Sequence, residues 1–179
     1  MRPFFAIVLA LGLAPAAQAA DPEGRVILTV AGDLPSSNAP AANPDDVNFA
    51  GYLDLEYDKA MAFDDLMLAR LPQHEITATL LDTGKAISYS GPRLSDLLQA
   101  AGATGKIVMP MALDGYQAEI PWDSITTYQP ILATHADGKP LSIGGLGPAM
   151  IVYPVVEDTE LYDSFDALQV FSTFFIEVE

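Results

Sequence analysis

The stretch "LPQHEITATLLDTGKAISYSGPRLSDLLQAAGATG", Leu71–Gly105, packs three elements into a short span. In "HEITATLLD" (His74–Asp82) polar and apolar residues alternate, the period-two pattern of a half-buried strand. "AISYSG" (Ala86–Gly91) predicts a second short strand. Pro92 then suits the first turn of a helix. Leu94, Leu97, Leu98 and Ala101 fall on one face of that helix, and Gly102 is a natural stop just past its end.

Downstream, "KIVMPMAL" (Lys106–Leu113) and "YQAEI" (Tyr116–Ile120) read as strands joined by Asp114-Gly115, a strong short hairpin signal. "PWDSI" opens a helical turn, and "PILATHADGKPL" reads as a strand and a turn. Ala149–Val155 is a buried strand, "TELYDSFDALQV" a helical candidate and "STFFIEVE" a closing strand. Upstream, "RVILTVAG" (Arg25–Gly32) predicts a strand, and the Pro-, Ser- and Ala-rich residues 32–46 a loop or mobile arm. Asn48–Asp58 reads as strand or irregular chain. "AFDDLMLARLP" (Ala62–Pro72) reads as a short helix, with Asp64 and Asp65 in its first turn and Arg70 in its last. Many strands with a few short helices and no βαβαβ rhythm predict an α+β fold on mixed sheets.

The N-terminus "MRPFFAIVLALGLAPAAQA" has a basic start at Arg2, an apolar run Phe4–Leu13 and a small-x-small site at Ala17–Ala19. Residues 1–19 are expected to be a secretory signal, because the apolar run is shorter than the roughly 20 residues a bilayer needs. The expected layout is therefore signal 1–19, an N-terminal strand and arm over 20–61, and a folded unit over 62–179. The expected location is the periplasm, with no membrane insertion after cleavage. Without the signal, seven bases face 24 acids, a net charge of −17. That charge repels DNA, RNA and anionic lipid, so no nucleic-acid partner is expected. There is no cysteine, which removes disulfides, thiol nucleophiles and thiolate metal sites. His74 and His135 form no metal-ligand pattern.

"GKPLSIGGLGPAMIVYP" (Gly138–Pro154) raises the question of a phosphate loop. No Lys-Ser/Thr follows the glycines and the loop leads into a strand, whereas phosphate loops open helices. Gly144, Gly145 and Gly147 fit either a tight turn or a loop packed against a flat ligand. There is no GxSxG elbow, and the carboxylate pairs Asp45/Asp46, Asp64/Asp65 and Glu157/Asp158 read as solvated faces. No catalytic residue and no metal ligand is assigned. Among single residues, Trp122 either caps a core edge or stacks on ligand, and Tyr116 either anchors the hairpin or faces a ligand. His135 is a surface histidine or a ligand contact. Arg93, at a helix start, has a carboxylate partner or faces a ligand.

Taken in order, Leu71–Gly105, "ALDGYQAEIPWDSI" and "ILATHADGKPLSIGGLGPAMIVYP" resemble the oxidoreductase molybdopterin-binding domain of the sulfite oxidase fold. Residues 71–154 match the family pattern step by step and 155–179 more loosely. The resemblance implies that fold and a pterin pocket. Catalytic members hold molybdenum through a cysteine at the end of the strand matching "EITATLLD". That position falls on or near Asp82, and a carboxylate does not replace a soft thiolate. The family's cationic substrate residues are also missing, since Lys139 is the last base in the chain. The chain looks like the family's small exported, cysteine-free group of pterin-binding proteins, some of which report to a membrane-bound signalling enzyme.

What this resemblance implies is a non-catalytic binder of a small planar heterocycle, a pterin, and it argues against molybdenum. A pterin needs an aromatic face, an acceptor for its amino edge and a loop that lets backbone approach. The residues the resemblance offers for this are Asp82, Thr83, Tyr116, Trp122, Gly145, Gly147, Tyr153 and Tyr162. In that group a Tyr is followed by an Arg and a Trp-Gln pair; Tyr162 corresponds to the Tyr, and the others have no counterpart here. Two alternatives stay open: a molybdopterin-dependent oxidoreductase with an unusual metal ligand, and a scaffold without a pocket.

Overall fold

The computed structural model describes residues 20–79 and 84–179. The signal assigned to 1–19, and Asp82 and Thr83, lie outside the described residues. No helix among the described residues is long and apolar enough to cross a membrane.

Two sheets and a strand pair make up the framework. The larger sheet has five strands in the order β2-β1-β11-β5-β6. They are β1 (Val26–Gly32), β2 (Ala60–Asp64), β5 (Ile107–Ala112), β6 (Ile120–Pro121) and β11 (Thr173–Val178). β1 runs parallel to β11 and every other pairing is antiparallel, so the sheet is mixed. The smaller sheet, all antiparallel, joins β3 (Gln73–Ala78), β4 (Ile87–Pro92), β8 (His135–Ala136) and β9 (Lys139–Pro140) in that order. β7 (Ile131–Ala133) pairs with β10 (Met150–Val152). With five short α-helices among the described residues, this is the α+β arrangement on mixed sheets that many strands and few helices predict.

The helices show why the apolar spacing matters. In α3 (Leu94–Ala101) the residues at i, i+3, i+4 and i+7 are all buried: Leu94, Leu97, Leu98 and Ala101. Each buried leucine contributes roughly 1.5–3 kcal/mol of transfer free energy. Gly102 ends the helix at φ 69°, a left-handed conformation that costs a residue without Cβ little. The main core packs this face against Leu28, Val30, Phe63, Ile125 and Ile176. At its centre Tyr153 stacks on Phe165 with ring centroids 4.3 Å apart and planes 23° apart.

Four local expectations need correction. Ala62–Asp64 belongs to β2, and the helix, α2, is Asp65–Arg70. The reason is Asp64, whose buried carboxylate caps the helix by accepting from the Met67 N–H at 2.7 Å. Pro92 ends β4 instead of opening α3. Asn48–Asp58 contains a one-turn helix, α1 (Phe49–Tyr52), because the Asn48 side chain accepts the Gly51 N–H. The hairpin at Asp114-Gly115 forms, but its second strand is short: a single bridge at Gln117 precedes β6.

Candidate functional site

A cavity of about 670 Å³ is lined by both sheets. β1 supplies Val26–Thr29, preceded by Arg25, and β11 supplies Phe174. β8 supplies His135, preceded by Thr134, and Asp65 and Ala69 of α2 close another side. The glycine-containing loop between β9 and β10 forms part of the wall through Leu141, Ser142, Ile143 and Pro148. The size suits a small organic molecule, for which sites of about 300–1,000 Å³ are usual.

The loop's shape depends on close backbone approach. Gly145 and Gly147 both donate their N–H to the Ser142 carbonyl, at 3.0 and 3.1 Å, which folds the loop back on itself. A Cβ on Gly147 would sit 2.5 Å from the Leu141 carbonyl carbon, so no larger residue fits without moving the backbone. The loop leads into β10 and not into a helix, and Leu141, Ser142, Ile143 and Pro148 line the cavity, whereas Gly145 and Gly147 do not.

The polar groups on the wall are few. Thr134 Oγ1 lies 2.9 Å from His135 Nδ1, which fixes the imidazole and leaves Nε2 with no partner among the described residues. The Thr134 backbone is itself held: its N–H donates to Ser90 and its carbonyl accepts from Leu141. The side-chain amide of Gln73 donates to the Leu68 and Leu71 carbonyls, so its role is to close α2. Arg25 forms no ion pair among the described residues, and Asp65 is the carboxylate that shares this wall. Arg93, at the start of α3, is half-buried and likewise has no carboxylate partner among the described residues.

The aromatic residues singled out in the sequence lie elsewhere. Tyr116 is 49% exposed, and its hydroxyl donates to the Ala167 carbonyl at 2.8 Å, tying the hairpin to the chain after α5 (Thr159–Ser164). Trp122 and Tyr162 pack at the edge of the main core. Burial, with Asp166 and Asp163 nearby, pushes the Tyr162 phenol up. Tyr153 is fully buried against Phe165, with its hydroxyl 3.4 Å from Ser124 Oγ. Burial raises its pKa, against the opposing effect of the Ser124 hydrogen bond, and the neighbouring Tyr128 adds to the rise. None of these four lines the cavity. Sequence reasoning gave weight to the rings and missed Arg25, Thr134 and Phe174. Thr134 reads only as part of a strand and His135 as a surface histidine or a ligand contact, because nothing local says which residues of this segment meet a cavity.

A family model, oxidoreductase molybdopterin binding domain, matches residues 38–159. No curated protein sequence matches the chain. Among solved structures, the fold is similar to that of the sulfane dehydrogenase SoxCD from Paracoccus pantotrophus, with a TM-score of 0.56 and 18% identity. That match covers 84% of this chain and 37% of that one, so the protein spans well under half the length of its structural neighbour. With two thirds of its length under the family model and the same mixed-sheet architecture, the chain belongs to the oxidoreductase molybdopterin binding domain family.

Proposed function

We propose that this protein is an exported, non-catalytic binding protein for a small, planar, neutral heterocycle of the pterin type, which signals its occupancy to a membrane-bound partner. The observation that carries the reading is a ligand-sized cavity in a molybdopterin-binding fold whose chain contains no thiol. The family's full cofactor joins molybdenum to a phosphate-bearing pterin, and the residues present do not fit it. No cysteine is available as a soft ligand. No cluster of three or more His, Cys, Asp or Glu occurs among the described residues. The cavity wall offers one guanidinium, Arg25, in company with the Asp65 carboxylate, which is a poor set for a phosphate.

A neutral ring suits what is there. Val26–Leu28, Leu141, Ile143 and Phe174 supply apolar surface, and Phe174 supplies an aromatic edge or face. The free Nε2 of His135 gives or takes one hydrogen bond at the ring's polar edge, according to its tautomer. Ser142, Ile143 and Pro148 of the loop line the cavity on the same side as His135 of the neighbouring segment and complete the wall there.

The test is a fluorescence titration of the purified protein with free neopterin. Saturable quenching is expected, weakened about tenfold or more in His135→Ala, a loss of roughly 1.4 kcal/mol. Gly147→Ala is expected to abolish it, because the loop has to move, and to cost about 1–3 kcal/mol of stability through overpacking. Absence of quenching in a folded wild-type protein contradicts the reading.

A further inference from the structure

The arm between β1 and β2 carries a surface that the cavity does not explain. Asn43–Asp58 holds five carboxylates and no base. Lys59, next in sequence, is drawn away, its Nζ donating to the Leu34 carbonyl at 2.9 Å. In the middle of this acidic run α1 displays Phe49 and Tyr52, 45% and 78% exposed, with ring centroids 6.3 Å apart and planes 11° apart. Phe49 also rests on Phe174 at 5.2 Å.

The rings are held in place and not draped. Asn38 exchanges hydrogen bonds with Ala62 of β2, its Nδ2 donating at 3.1 Å and its Oδ1 accepting at 2.7 Å. Ala42 and Tyr57 form a bridge across the arm, and Leu55 between them is buried. Asn48 caps α1. Two stacked aromatic rings in water forgo the burial that Tyr89, Tyr153 and Phe165 receive, and a fixed exposed aromatic pair is a common core of a protein interface.

We infer that the Phe49–Tyr52 face is a docking surface for an arginine-rich segment of a partner protein. Charge complementarity selects this occupant. The flanking Asp45, Asp46, Asp54 and Glu56 repel a second copy of this chain, anionic lipid and nucleic acid alike. A guanidinium stacks on an exposed ring and reaches carboxylates with its edge, whereas an ammonium is more strongly hydrated and stacks less well. The inference holds whatever molecule fills the cavity. Phe174, which lines the cavity and supports Phe49, places the surface directly beside it.

The test is fluorescence anisotropy with a labelled nona-arginine peptide and a nona-lysine peptide at about physiological ionic strength, where simple charge attraction is screened beyond ~8 Å. Wild-type protein is expected to bind the arginine peptide several-fold more tightly. The F49A/Y52A variant keeps every charge; it is expected to weaken the arginine peptide about tenfold and to erase the preference, with an unchanged melting temperature. D54N/E56Q is expected to weaken both peptides alike. An arginine preference that survives in F49A/Y52A, or no preference in the wild type, overturns the inference. So does a wild-type dimer that F49A/Y52A dissociates, since the occupant is then a second copy.

Discussion

Two aromatic stacks in this protein are made of the same kinds of residue and have opposite fates. Tyr153 and Phe165 meet at 4.3 Å in the middle of the main core, with Tyr128 tilted against Phe165 at 4.9 Å. Phe49 and Tyr52 meet at 6.3 Å on an exposed one-turn helix. The inner pair is closed in by α3, β1 and β11, so its contribution is to stability. The outer pair rests on Phe174 through Phe49 and is otherwise largely exposed, 45% for Phe49 and 78% for Tyr52, so burial gives it little to add to stability. Ring chemistry does not separate the two; what the neighbouring elements cover does.

The largest effect that breaks this contrast, if it fails to appear, is in the core. Phe165→Ala is expected to cost about 3–5 kcal/mol in urea unfolding, because the cavity opens between Tyr153 and Tyr128 where nothing can collapse into it. A loss below about 1 kcal/mol would place Phe165 outside the cooperative core.

Acid sensitivity sharpens the comparison on the core side. The Asp64 carboxylate is held below the usual carboxylate range by the Met67 N–H and then the Gly24 N–H, against the opposing effect of burial. The Glu23 N–H and Arg70 add to the lowering. A carboxyl whose folded pKa is depressed adds stability above its unfolded value, about 3.9, and loses it as pH falls toward the folded value. Asp64→Asn is therefore expected to lower the melting temperature at neutral pH and to flatten its decline as pH falls below about 5. A decline of unchanged steepness would assign acid unfolding to other carboxylates.

Tyr153 gives the opposite limb. Its folded pKa is raised by burial, so its contribution is fully present below the unfolded value, about 10, and is lost as pH rises above it. Tyr153→Phe is expected to cost about 0.5–1.5 kcal/mol at neutral pH, from the hydrogen bond to Ser124, and to reduce the alkaline loss. The smallest effect belongs to the outer pair: Phe49→Ala is expected to change stability by less than about 1 kcal/mol, as exposed substitutions generally do. A larger loss would mean that the exposed rings hold the arm in place.

How far the sequence reaches follows the same division between local pattern and tertiary cover. The α3 face, the Gly102 stop and the Asp-Gly hairpin are set by neighbours within a few positions, and each forms where the spacing predicts. The resemblance carried by residues 71–154 extends this to the fold, because several weak motifs in the right order leave few alternatives. Boundaries slip where one residue can serve two elements: Asp64 both ends β2 and caps α2, and Pro92 fits a strand end as well as a helix start. The glycine loop was legible as a close-approach turn, and it does border the cavity. The rest of the wall was not, because Arg25, Thr134 and Phe174 come from three distant segments that meet only when the two sheets face each other. Tyr153 shows the converse: a tyrosine before Pro154 looks available to a ligand until Phe165 is found lying on its face.

On the proposed function, this molybdopterin-binding fold holds a free ring and no molybdenum. The most direct test is on protein purified from its native host: metal content, together with the mass and fluorescence of whatever denaturation releases. The account predicts a fluorescent pterin without phosphate, in near-stoichiometric amount, and no molybdenum. Stoichiometric molybdenum with a phosphorylated pterin would contradict it and make the protein an oxidoreductase with a non-thiolate metal ligand.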